Sequence, residues 1–311
     1  MKDIKIATRG SKLALAQAIL IRDCLLSITP ERTVSIVEIS TKGDRDKSSF
    51  LYKSSSVGFF TSEVENALLQ GQGDIAVHSL KDLPTTVTSG LVVSAIPSRE
   101  SVCDVIVSPK KLSSIHDLPP KARIGTSSLR RITQLKLLRP DLNCQPLRGN
   151  IETRLRKVQE GQIDAIVIAE AGLNRLELSD HISLVLPPTD FIPAPGQGAL
   201  AIQTRRDDTE ICRLVANLDD DNARLTAETE RRILAGLHGG CSIPLGVYSY
   251  IENETLHIHA VLCNLAVTKQ VKKTASCPLN QAMQAADTIT QQILHEGGME
   301  ILEELRQAKK A

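Results

Sequence analysis

Asp74-Ile75-Ala76-Val77-His78-Ser79-Leu80-Lys81-Asp82-Leu83-Pro84 is an apolar run that ends in a charged turn. Ile75-Ala76-Val77 reads as a buried strand, and its carboxyl end delivers His78 through Pro84. Upstream, Ile4 to Thr8 reads as a strand, Ser11 as the cap of a helix from Lys12 to about Leu26, and Val34 to Ile39 as a second strand. Ser62-Glu63-Val64-Glu65 fits a capping box, with Val64, Ala67 and Leu68 as the apolar face. Strands alternating with helices predict an α/β fold with a mainly parallel sheet. Ligands on such sheets sit beyond the carboxyl ends of the strands. From Thr41 to about Phe60 no period is visible, so this stretch reads as either a mobile lid or a surface loop.

Downstream, a second α/β unit begins at Arg123-Ile124-Gly125. Thr126-Ser127-Ser128 opens a helix to about Leu138. Another helix spans Ile151 to Gln159, and Ala165 to Ile168 is a strand. The proline-rich stretch from Leu186 to Gly196 reads as a linker, and Ala199 to Gln203 as strand-like. A helix from Asp219 to Leu237, strands at 247–251 and 256–262 and a helix near Gln281 to Leu294 suggest a small α+β C-terminal domain.

The 311 residues suit two or three domains. With 41% hydrophobic and 23% charged residues, the composition is that of a soluble globular protein. Aromatics at 2% argue against a stacking platform for single-stranded nucleic acid. A net charge of +1 gives no global field for nucleic acid or membrane, so neither is expected as a partner. The N-terminus resembles neither a signal peptide nor a membrane span. Seven scattered cysteines without a C-x-x-C pair suggest no metal site and no disulfide framework, and point to a cytoplasmic home.

Several groups carry candidate chemistry. Thr126, Ser127 and Ser128 bring hydroxyls and free N–H groups to a helix start, an anion site. Arg130 and Arg131 follow in the first turn, where the helix dipole disfavours cations. Either a carboxylate or phosphate offsets them, or they are a pair of solvated arginines. Arg9, Arg148 beside Gly149, Arg154 and Arg175 each lie near a strand end or helix start. Their repeated placement indicates a ligand with several carboxylates, and the Walker phosphate pattern is absent. Asp82, beside Lys81, has the placement to stabilise a cationic intermediate or move protons, although an Asp so placed is more often an ordinary turn residue. Cys241 follows Gly239-Gly240, where a bulky group has room, although a cysteine is more often a packing residue. His238 does not establish a Cys–His pair.

Six blocks in order resemble the porphobilinogen deaminase (hydroxymethylbilane synthase) family over nearly the whole chain. They are Ala7-Thr8-Arg9-x-Ser11-x-Leu13-Ala14, Asp74 to Pro84, Gly125 to Arg131, Leu147-Arg148-Gly149-Asn150, Pro193 to Ala199, and Gly239-Gly240-Cys241. The resemblance implies two domains like periplasmic binding proteins with the active site in the cleft between them, plus a small third domain. The implied boundaries are 1–98 with 194–217, 99–193, and 218–311. It implies a transferase that joins four porphobilinogen molecules head to tail, with loss of ammonia, into hydroxymethylbilane for tetrapyrrole (haem) biosynthesis. It implies a dipyrromethane cofactor on a thioether to Cys241, and a monomer. By the same resemblance Lys81, Thr126, Ser127, Ser128, Arg130, Arg131, Arg148 and Gly149 hold the cofactor. Arg9, Ser11, Arg148, Arg154 and Arg175 hold substrate carboxylates, and Asp82 faces the pyrrole nitrogens as the catalytic group.

The chain departs from the family pattern at Gly10, Val57, Ser62, Ser101-Val102-Cys103, Gln203 and Ser242. A different class, a non-catalytic binding protein for a small polycarboxylate, explains the arginines but leaves Cys241 idle. A cysteine hydrolase needs a base and an oxyanion site around Cys241 that the sequence does not reveal.

Overall fold

The computed structural model describes residues 3–41, 61–237 and 243–310. Thus most of the expected lid, and Cys241 with His238, Gly239, Gly240 and Ser242, lie outside the described residues. The chain forms two compact units. Of the described residues, one takes 3–41, 61–100 and 198–224, and the other takes 101–197, 225–237 and 243–310.

In the first unit, β1 (Ile4–Arg9), β2 (Val34–Ile39) and β3 (Ile75–Ser79) are mutually parallel, with β1 in the middle. β10 (Leu200–Arg205) runs antiparallel between β3 and β4 (Leu91–Ala95). The order is β2-β1-β3-β10-β4. Helices α1 (Lys12–Ile28) and α2 (Ser62–Leu69) follow β1 and precede β3. Ile6, Ile21, Leu25, Ile75 and Ile202 fill one core. Ser11 caps α1 as expected, its Oγ accepting from Ala14 N at 3.3 Å. The expected capping box at Ser62 is not formed. Thr61 takes the N-cap position without a side-chain bond, and Glu65 turns inward to accept from Gln203 Nε2 at 3.0 Å. A buried amide donor satisfies that carboxylate better than a helix end shared with water.

The second unit repeats the plan. β6 (Arg123–Gly125), β7 (Asn143–Gln145) and β8 (Ala165–Ala169) are parallel, and β5 (Asp104–Val107) lies antiparallel between β8 and β9 (Leu184–Leu186). The order is β7-β6-β8-β5-β9. In each five-stranded sheet four strands therefore point one way, as expected of a mainly parallel sheet, and one is reversed. In each sheet the reversed strand is the one the chain enters directly from the other unit, so no βαβ crossover sets its direction. Helices α3 (Leu129–Leu138), α4 (Ile151–Gln159) and α5 (Glu170–Asn174) follow β6, β7 and β8.

After α6 (Thr209–Ala216) in the first unit comes α7 (Asp221–Gly236). Then β11 (Leu245–Glu252), β12 (Thr255–Cys263) and β13 (Gln270–Pro278) form an antiparallel sheet. Helices α8 (Ala282–Ile293) and α9 (Met299–Lys310) complete this part, whose core is Leu237, Val247, Ile258, Leu262, Ile289 and Ile301. The mixed α/β class with a small α+β part is as the sequence implied. Glu230, fully buried on α7, accepts from Gly196 N at 2.7 Å and Ser249 N at 2.8 Å, which ties the linker to the C-terminal sheet. No described helix is long and apolar enough to cross a membrane.

Candidate functional site

Parallel pairing gathers what sequence order scatters. In the first unit β1 and β3 are adjacent and parallel, so Arg9 and the Lys81-Asp82 turn leave the sheet at the same edge. Leu80 to Asp82 is one turn of 3₁₀ helix. Its flanks are anchored: Leu80 and Leu83 are buried, Leu80 N donates to Ala199 O at 3.0 Å, and Leu83 N donates to Leu80 O at 3.2 Å. Asp82 stands exposed between these anchors. A one-methylene carboxylate on a pinned turn has little freedom to wander.

His78, at the end of β3, is buried. Burial pushes its imidazole down to about 4; the Gln203 amide raises it by less, and the Arg9 charge lowers it further. The folded state therefore holds a neutral imidazole where the unfolded chain, at about 6.5, takes up a proton. Between those values the unfolded state binds more protons, so stability from this group is complete above about 6.5 and lost as pH falls to about 4. The full loss is roughly 3 kcal/mol. Urea midpoints measured across that window should fall for the unaltered chain and fall less steeply for His78→Gln. Parallel curves would remove His78 as the cause.

In the second unit, the ends of β6, β7 and β8 carry Thr126-Ser127-Ser128, Arg148-Gly149 and the Arg175 segment on one sheet edge. Ser128 caps α3, its Oγ accepting from Arg131 N at 3.4 Å. Ser127 Oγ donates to Leu147 O at 3.0 Å and accepts from Leu147 N at 3.1 Å, which joins the β6 turn to the Arg148 loop. Gly149 has φ +110°, and a Cβ there would lie 3.0 Å from Thr153 Cγ2. Asn150 then caps α4 through Thr153 N at 2.9 Å. Arg154 Nε donates to Gly149 O at 2.9 Å, and Arg175 closes the carboxyl end of α5.

Arg130 and Arg131 are both buried, and the anion beside them is Asp104 at the start of β5. Arg131 Nη2 and Nε lie 2.6 and 3.0 Å from Oδ1, and Arg130 Nη1 lies 2.7 Å from Oδ2. Gln197 Nε2 also donates to Oδ1, at 3.0 Å. Burial alone would raise the Asp104 carboxyl, but the two guanidiniums hold it well below the usual carboxylate range. Arg130 is pushed down from its ordinary value, first by burial, with the like charge of Arg131 partly cancelling the help of Asp104. The asymmetry is physical: Asp104 has two cations, whereas each arginine has a share of one anion. Sequence reasoning missed Asp104 and Gln197. Its signal was present in two arginines on the wrong end of a helix, which require an anion, but the anion lies 26 residues upstream of Arg130.

Family departures have their own partners. Ser101 Oγ donates to Glu170 and accepts from Cys103 N at 3.2 Å, and burial pushes the Cys103 thiol up. Gln203 serves Glu65.

Residues 4–213 match the family model described as porphobilinogen deaminase, dipyromethane cofactor binding domain, and residues 224–295 match the porphobilinogen deaminase C-terminal domain. The chain belongs to the porphobilinogen deaminase family. The porphobilinogen deaminase of Maridesulfovibrio salexigens is 42% identical over 97% of this chain and 98% of its own length. That of Syntrophomonas wolfei is 40% identical over 98% and 100%, and that of a Roseiflexus species 41% over 96% and 97%. Among solved structures, the periplasmic aliphatic sulphonate binding protein SsuA from Escherichia coli is 15% identical, with a TM-score of 0.40 over 76% of this chain and 70% of its own. At that score it carries no weight.

The side chains present fit the cofactor that this family model names. Arg130 Nε and Arg148 Nη2 are buried without a hydrogen-bond acceptor among the described residues. Arg130 and Arg131 share the single carboxylate of Asp104, so among the described residues this cluster carries one more cation than anion. Buried donors of this kind are costly unless an acceptor meets them, and a pyrrole carrying acetate and propionate brings carboxylate oxygens.

Proposed function

We propose that this chain is a transferase that joins four porphobilinogen molecules head to tail, releasing ammonia at each addition, to give hydroxymethylbilane for tetrapyrrole biosynthesis. The observation that carries the reading is the set of arginines on the β6–β7–β8 edge, with Arg130 Nε and Arg148 Nη2 buried and without an acceptor among the described residues, inside the region matched by the cofactor-binding family model. The dipyrromethane, bound by a thioether to Cys241, supplies the primer to which substrate units are added. Arg130, Arg131 and Arg148, with Thr126, Ser127, Ser128, Gly149 and Lys81, bind its carboxylates. Arg9, Ser11, Arg148, Arg154 and Arg175 bind those of porphobilinogen, and guanidinium forks suit a series of carboxylates better than ammonium groups do. Asp82 accepts from pyrrole N–H groups and holds its negative charge against the positive charge that develops on the substrate as ammonia leaves. A carboxylate fixed in advance needs no reorganisation at that moment.

The division into three domains, 1–98 with 194–217, 99–193 and 218–311, belongs to this proposal, as does a cytoplasmic monomer. A near-neutral net charge and six described cysteines that are free thiols support that setting.

Intact-mass spectrometry tests the reading. The purified chain should carry two pyrrole units on Cys241, and Cys241→Ser should carry none. The same spectrum under native conditions reads the monomer. A bare chain, even after incubation with porphobilinogen, together with unchanged polycarboxylate affinity in Cys241→Ser, would favour the non-catalytic binding protein instead.

A further inference from the structure

Arg130 and Arg131 are consecutive, buried, and set in the first turn of α3, where the helix dipole already repels cations. Left alone, two such guanidiniums would splay apart or reach for water. Here Asp104, fully buried, holds both at once. The other contacts leave little slack. Arg130 Nη1 donates to Ile192 O at 2.8 Å, and its guanidinium lies 5.8 Å from the Phe191 ring centroid. Arg131 Nη1 donates to Val167 O at 3.1 Å. Asp104 itself is fixed by Gln197, whose amide also donates to Val102 O at 2.8 Å. Yet among the described residues the two arginines share one carboxylate, and the Arg130 Nε hydrogen has no acceptor. The arrangement is aligned, and among the described residues it holds two cations to one anion.

We propose that Asp104 is a positioning residue for cofactor capture: it orders the Arg130–Arg131 pair before any pyrrole arrives. This rests on the functional reading above. Asp104 offsets one of the two cations, so the pair can stay side by side and dry. It leaves the other charge for an incoming carboxylate. Binding then pays little for arranging the receptor, which is the physical content of preorganisation. Asp104 does not touch the reacting atoms, and no proton moves to it.

Two measurements test this. The first uses the Cys241→Ser chain, which cannot form the thioether, labelled with nitrogen-15. Its Arg131 Nε–H resonance, assigned through Arg131→Lys, should exchange with water at least tenfold more slowly than that of Arg22, which pairs with Asp23 at the surface. Exchange as fast as at Arg22 would mean the arginines are not set in advance, and would overturn the proposal. The second is the loaded fraction of folded protein by intact mass after incubation with porphobilinogen. Asp104→Asn should lower it at least tenfold, and Asp104→Glu, which keeps the charge, should recover part of it. A folded Asp104→Asn chain loaded like the unaltered one, or a folded Asp104→Glu chain with no recovery, would count against the proposal. If Asp104→Asn yields no folded protein, the exchange measurement decides. An unaltered chain with no pyrrole adduct but slow Arg131 exchange would remove the functional reading and leave the preset arginine pair standing.

Discussion

Asp82→Asn is expected to keep the covalent pyrrole adduct and to slow chain elongation by about 10²–10³-fold, the range seen when one preorganised electrostatic group is removed from an active site. The substitution is isosteric. Asp82 is exposed, and its turn is held by buried Leu80 and Leu83 and by the Leu80 N bond to Ala199 O, none of which involves the carboxylate. Stability should therefore change little. What disappears is the negative charge that meets developing positive charge at a fixed place. An amide can still accept from a pyrrole N–H, so binding should suffer less than turnover. The check is the rate of hydroxymethylbilane formation beside the intact mass of the same sample. Turnover within twofold of the unaltered chain would take Asp82 out of the mechanism.

Asp104→Asn is expected to cost about 3–5 kcal/mol of folding stability, as for other buried ion pairs stripped of one partner. The loss comes less from a missing attraction than from two buried guanidiniums left facing each other. The sign with pH follows from the depressed carboxyl. Asp104 contributes fully above its unfolded value of about 3.9, and that contribution is lost only as pH falls through its much lower folded value. Urea unfolding at neutral pH reads the difference, which should narrow in strong acid. A difference below 1 kcal/mol at neutral pH would show that the arginines find other acceptors. Changing Asp104 and both arginines together to apolar residues should cost less than Asp104→Asn alone.

Local features were legible in the sequence because their causes are local. Ser11 caps α1 through the N–H of Ala14, three residues on. Val34–Ile39, Arg123–Gly125 and Ile151–Gln159 have the bounds their residue patterns suggest. Where local signals compete, the reading slipped. At Ser62 the capping pattern was present, but Glu65 had a stronger claim from Gln203, 138 residues away. β13 went unseen because Lys273 stands on the inward side with Val271, Ala275 and Cys277 and breaks the apolar alternation that marks a strand. The three-residue strands β7 and β9 are too short to show a period.

The apolar run ending in Lys81-Asp82, the repeated arginines and the Gly-Gly-Cys block point from sequence alone to the family and to a polycarboxylate ligand. A ligand with many carboxylates and a fixed carboxylate beside it are written in residue types. Tertiary structure decided which charges answer which. Parallel pairing of β6, β7 and β8 put separate arginines on one edge. The antiparallel return of β5 brought Asp104 under Arg130 and Arg131. Sequence can show that a cation needs an anion. Because Coulomb attraction acts through space, only the fold shows that part of the anion is the chain's own.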